Sequence, residues 1–104
     1  MTEEKFQQQG KEDSDVAAEL GEPRLYRVLL HNDHFTTMEF VIEVLEKIFH
    51  KTASEATSIM LAVHKTGVGV CGVYPFEIAE TRVRLVETFA RKVGFPLLCT
   101  MEEV

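Results

Sequence analysis

The sequence predicts a small single α/β (α+β) domain of order β-α-α-β-α-β, with three helices packed on a three-stranded antiparallel sheet. Three observations predict it. Two amphipathic stretches each open on a Thr-x-x-Glu pattern, the reciprocal N-terminal cap of a helix. Short β-branched, apolar runs are interleaved with stretches of helical period, as strands alternate with helices in a layered domain. The chain has 104 residues, 45% of them hydrophobic and 27% charged, enough for one core and no more.

Residues 1–24 stand apart, with seven acids against three bases and with Gln7-Gln8-Gln9, Gly10, Gly21 and Pro23. Such a segment has little to bury and is expected to form a disordered acidic N-terminal extension, with only a weak helical stretch from Val16 to Leu20. Residues 25–104 then make up the folded domain. Leu25 to Leu30 reads as the first strand. Thr36-Thr37-Met38-Glu39 fits a capping box with Thr36 as N-cap. Behind it Val41, Val44, Leu45 and Ile48 recur at helical spacing, widened by Phe40 and Phe49, with Glu43 and Lys47 paired on the polar side. That helix is expected to end near His50.

Thr52-Ala53-Ser54-Glu55 is a second capping box. Its helix turns Ala56, Ile59, Met60 and Val63 inward and stops at Gly67, placed for a left-handed C-cap. Val68 to Tyr74 is the second strand, where Gly69 and Gly72 indicate close backbone approach or a bulge. Pro75 suits the first turn of a third helix. Its buried face is expected to hold Ile78, Val83, Val86, Ala90 and Val93, and Gly94 closes it. Phe95 to Met101 is the third strand, with Pro96 at its start or edge.

The formal net charge is −6. An acidic chain is ill-suited to nucleic acid, where phosphate neutralisation supplies most of the affinity, and suits a protein partner or a cationic ligand. No targeting h-region and no run near the length of a membrane span occurs. Cys71 and Cys99 lie far apart in strand-like runs without a CxxC, which points to reduced, buried thiols. A monomeric cytoplasmic protein without cofactor is the expectation.

The chemistry concentrates in His31-Asn32-Asp33-His34, between the first strand and the first helix. A metal would find nitrogen and oxygen donors there, but two histidines three apart in a loop lack a helix to align them, and HExxH is absent. Nucleophilic catalysis finds no Ser in a G-x-S-x-G turn and no cysteine in electropositive surroundings. A small cation fits otherwise. An ammonium offers only donors, so its site must offer acceptors, and Asn32, Asp33 and a neutral His64 supply them. Met38, Val41, Met60 and Val63 stand beside them, as a free α-amine followed by an apolar side chain requires. The residues alone leave a plainer reading open, in which Met38 and Met60 are core and His64 serves the helix dipole.

Asn32-Asp33, Thr36, Met38-Glu39-Phe40-Val41, Met60-Leu61-Ala62-Val63-His64, Gly67, Cys71-Gly72-Val73, Ala79-Glu80-Thr81 and Pro96-Leu97-Leu98-Cys99-Thr100 together resemble the ClpS family. The similarity runs from about Leu25 to Met101. The resemblance implies an adaptor, not an enzyme. Such proteins bind polypeptides with N-terminal Leu, Phe, Tyr or Trp (N-degrons) and deliver them to the AAA+ ATPase ClpA of a Clp protease. By position, Asn32, Asp33 and His64 would hold the substrate's α-amine. Leu30, Thr36, Met38, Val41, Met60, Val63 and Leu97 would wall the side-chain pocket. Glu77 and Arg82 would contact the ATPase, which would also engage the acidic tail. The family usually reads Asn-Asp-Asp, and His34 replaces the last acid, so it modulates the loop by removing a negative charge. The other reading the resemblance allows is an interaction domain that tunes the Clp ATPase without N-terminal selectivity.

Overall fold

A computed structural model describes residues 24–104. The expected extension, residues 1–23 with the helical stretch from Val16 to Leu20, lies outside the described residues. The elements are β1 (Leu25–His31), α1 (Met38–Lys47), α2 (Ala53–Thr66), β2 (Val68–Pro75), α3 (Phe76–Val93) and β3 (Leu98–Glu103), the expected order. The three strands form one antiparallel sheet of order β2-β1-β3.

β1 is central because both of its edges are paired, which holds its end, and the loop beyond it, in a fixed place. Its alternation buries Val28 and Leu30. Leu30 faces Gly69 on one side and Cys99 on the other. Helix α3 packs against all three strands, α2 against β2, and α1 against α2. Val28, Leu30, Phe40, Val44, Leu45, Cys71, Val86 and Cys99 belong to one core. The Phe40 ring sits 4.9 Å from those of Phe89 and Phe95, closing the end of that core. Cys71 and Cys99 are buried free thiols. Burial pushes the Cys71 thiol far up and that of Cys99 up to about 12, so both stay protonated and behave as small apolar groups.

The second capping box forms as expected: Thr52 Oγ1 accepts from the Glu55 N–H, and the Glu55 carboxylate accepts from the Thr52 N–H. Gly67, with φ +93°, ends α2 by donating its N–H to the Val63 carbonyl. At Gly69 the expected close backbone approach is present, since a Cβ there would lie 3.1 Å from the Ile59 carbonyl oxygen, with Val63 Cγ2 nearer still at 2.6 Å. The bulge is also present: Val28 faces Gly72 while Leu29 faces Val70, which leaves Cys71 unpaired in register.

Several expectations are corrected. The N-cap of α1 is Thr37, not Thr36; its Oγ1 accepts from the Phe40 N–H at 3.1 Å. The Thr36 side chain is instead drawn back into the loop, where its hydroxyl donates to Asp33. With the cap moved by one residue, Glu39 no longer stands at the third helical position, and no reciprocal box forms. Helix α1 ends at Lys47, short of His50, which adopts a left-handed φ of +55° that a helix cannot contain. Pro75 is the last residue of β2 and the N-cap of α3, one position before the expected first turn.

On α3 the buried residues are Ala79, Val86 and Ala90, whereas Ile78 and Val93 are 45% and 51% exposed. Alanine allows the helix to approach the sheet closely, and that contact line rotates Ile78 outward. β3 begins at Leu98 and not at Phe95, because the Gly94 cap draws the Phe95 N–H back to the Ala90 carbonyl and Pro96 has no N–H for a ladder.

Candidate functional site

The segment 32–37 leaves β1 and enters α1. Its first residue is tied across the molecule: the Asn32 N–H donates to the Gly67 carbonyl at 2.9 Å. Gly67 caps α2, whose last turn carries His64, so this bond brings two segments far apart in sequence to one place.

Asp33 builds the loop from inside. Its Oδ1 accepts the N–H groups of Phe35 (2.8 Å) and Thr36 (2.7 Å), and its Oδ2 accepts the Thr36 hydroxyl at 2.7 Å. This is an Asx turn, a side chain completing the turn its own backbone makes. Partial burial pulls the Asp33 carboxyl upward, but the bonds from Thr36 and Phe35 and the neighbouring His34 outweigh it and hold it below the usual carboxylate value. Asp33 is therefore an ionised group whose lone pairs are mostly occupied by the loop.

Beside this loop is an open hollow of about 540 Å³, within the range of ligand pockets. The loop contributes Asn32, Asp33, His34 and Thr36, α1 contributes Met38 and Val41, and α2 contributes Met60, Val63 and His64. Val41, Met60 and Val63 are buried and form an apolar floor, while Asn32, His34 and His64 are exposed on the rim. Met38, in the first turn of α1, is 43% exposed. The arrangement presents hydrogen-bond acceptors from two segments next to an apolar recess. It suits a ligand with a donor-rich cationic head and an apolar body.

Two expected wall residues are elsewhere. Leu30 and Leu97 are buried in the core and do not line the hollow. Leu30 lies in β1 two residues before exposed Asn32, and Leu97 lies just ahead of β3 between exposed Pro96 and Leu98, so only the packing under the helices settles which way each points. Phe35, Thr37 and Glu39 line the hollow although sequence reasoning passed over them. For Phe35 a signal existed, an aromatic residue inside an otherwise polar loop. Among the described residues no three His, Cys, Asp or Glu side chains cluster as metal ligands. No helix among them is long and apolar enough to cross a membrane.

Glu77 lies at the opposite end of β1, on a second hollow of about 620 Å³ lined with Arg24, Tyr26, Pro75, Phe76 and Ile78. Arg82 is held inward. It donates to the Ile48 carbonyl at 3.0 Å, its guanidinium lies 5.7 Å from the centre of the Tyr74 ring, and its Nε is buried without a partner among the described residues.

The family model described as ATP-dependent Clp protease adaptor protein ClpS matches residues 21–100. A Nitratidesulfovibrio vulgaris protein named ATP-dependent Clp protease adapter protein ClpS is 58% identical over 94 residues, 88% of this chain and 90% of the relative. A Lawsonia intracellularis protein of the same name is 52% identical over 99 residues, 95% of this chain and 91% of the relative. The structure of Agrobacterium tumefaciens ClpS2 bound to L-phenylalaninamide is similar with a TM-score of 0.77 and 35% identity, covering 80% of this chain and 100% of that one.

Proposed function

Because this chain belongs to the ClpS family of ATP-dependent Clp protease adaptor proteins, we propose that it binds polypeptides by a free N-terminal Leu, Phe, Tyr or Trp and delivers them to a ClpA-type AAA+ ATPase in the cytoplasm. The observation that carries this reading is the meeting of acceptors on Asn32 and His64 with the apolar floor of Val41, Met60 and Val63 in one hollow. L-phenylalaninamide, the ligand of the Agrobacterium relative, has the matching chemistry: an α-amine, a benzyl side chain, and an amide where a second residue would follow.

The α-ammonium donates to the Asn32 side-chain oxygen and to a His64 ring nitrogen. Asp33 shapes the loop and adds its negative charge close by, with at most one lone pair left for the ligand. The first side chain enters the recess. Burying a Leu or Phe is worth about 1.5–3 kcal/mol, and each charge-assisted hydrogen bond about 1.5–3 kcal/mol before ordering costs. Neither half suffices alone, so the amine and the side chain are read together. Glu77, exposed beside Phe76 and Ile78, is the group offered to the ATPase; Arg82 contributes chiefly by fixing the end of α1.

Calorimetry with peptides identical except at the N-terminus tests this. A Leu-first peptide binds; its acetylated form, lacking the charge and donors, and an Ala-first peptide, leaving the floor uncovered, each bind at least tenfold more weakly. Equal affinity for all of these would leave only an interaction domain without N-terminal selectivity.

A further inference from the structure

We propose that Phe35 reads the second residue of the bound polypeptide and favours a large apolar or aromatic side chain there. The proposal rests on the reading of the hollow given above and extends it to the next position of the ligand.

Phe35 is 76% exposed, more than any other large hydrophobic side chain among the described residues. It belongs to neither the core cluster nor its partly buried fringe. An isolated exposed hydrophobic residue is ordinary, but this one lines the hollow. Nor does it hang on a loose strand of chain. Its own N–H donates to Asp33 Oδ1, and the next residue gives both its N–H and its hydroxyl to the same carboxylate. The backbone on both sides of the ring is thus held, so the ring projects from a fixed support, and little ordering is needed when a ligand covers it.

The direction of the ligand follows from its two anchored ends. With the amine at Asn32 and His64 and the first side chain toward Val41, Met60 and Val63, the chain must leave across the rim. The apolar groups on that rim are the Phe35 ring and the outer part of Met38. A second-residue Phe or Leu laid against them removes both surfaces from water, whereas Gly leaves them wet. Aromatic pairs add attraction beyond the area they bury. The occupant is therefore the ligand's second side chain, in direct continuity with the first.

The test uses the full chain and peptides beginning Leu-Phe, Leu-Gly, Ala-Phe and Ala-Gly, followed by one common sequence, titrated by calorimetry into the wild type, Phe35→Ala and Phe35→Tyr. The wild type should prefer Leu-Phe over Leu-Gly by about three- to tenfold, the contribution of one added aromatic contact. Phe35→Ala should bring that ratio to within about twofold of one, and Phe35→Tyr should preserve it. A wild-type ratio near one, or a ratio that survives Phe35→Ala, overturns the proposal. So does an equal change for both Leu-first peptides, in either direction, since Phe35 would then only support or obstruct the loop. Loss of the Leu-over-Ala preference in the wild type would instead overturn the reading of the hollow, and this proposal with it.

Discussion

Asp33 and Thr36 are joined twice: the carboxylate accepts the Thr36 N–H on one oxygen and the Thr36 hydroxyl on the other, both at 2.7 Å. That pair closes the turn from which Asn32, His34 and Phe35 are displayed, and it leaves Thr37 to cap α1. A residue resembling a ligand of the substrate amine thus has a structural task that comes first.

The two tasks separate by substitution. Asp33→Ala removes every acceptor, leaves the Phe35 and Thr36 N–H groups unpaired and should lower stability by about 1–3 kcal/mol, with Leu-peptide binding falling more than tenfold. Asp33→Asn keeps an oxygen for the two N–H groups. Its thermal unfolding should shift by less than about 1 kcal/mol, while the lost charge still weakens binding. Equal stability of the wild type and Asp33→Ala would remove the turn's role.

Met38 stands at the hollow's mouth in the first turn of α1. A ligand whose first side chain branches at Cβ would crowd it, and overpacking costs about 1–3 kcal/mol. Met38→Ala should therefore admit Ile-first and Val-first peptides that the wild type rejects. Fluorescence anisotropy with labelled peptides reads this directly, and continued rejection would show that Met38 is not the gate.

The Asp33 turn should withstand mild acid. The Asp33 carboxyl sits below its ordinary value of 3.8, so its stabilising contribution is complete above about pH 4 and is lost only as pH falls through the lowered value. Near-ultraviolet circular dichroism should therefore stay constant from pH 7 to 5, and a change within that range would show that another group holds the turn. His34→Asp places a second carboxylate beside the ligand's ammonium and should tighten Leu-peptide binding; unchanged or weaker binding would show that the charge at this position does not reach the ligand.

Gly69 couples the sheet to the hollow. A methyl group there would press on Val63 Cγ2 at 2.6 Å and stand 3.1 Å from the Ile59 carbonyl, on a helix that cannot retreat without moving His64. Gly69→Ala should cost about 1–3 kcal/mol in chemical denaturation and also reduce peptide binding, because Val63 is part of the floor. An unchanged midpoint would mean that α2 yields there freely.

The sequence by itself determined the features whose causes lie within a turn or two of chain. The Thr52–Glu55 capping box, the left-handed Gly67, the stop at Gly94, the apolar stripe of α1, the Gly69 approach and the order of elements were all legible there; Asn32, Asp33 and His64, which border one hollow, were named through family resemblance. Tertiary structure alone decided the rest. Whether Thr36 or Thr37 caps α1 depended on Asp33 drawing the Thr36 side chain back into the loop. Whether Leu30 bordered the hollow or lay within the core depended on β1 lying between β2 and β3. The exposure of Ile78 and Val93 depended on where α3 touches the sheet. The physical reason is one of range: caps and periodicity are written in neighbouring hydrogen bonds and side-chain spacing, whereas the hollow exists only once the Asn32 N–H has met the Gly67 carbonyl from thirty-five residues away.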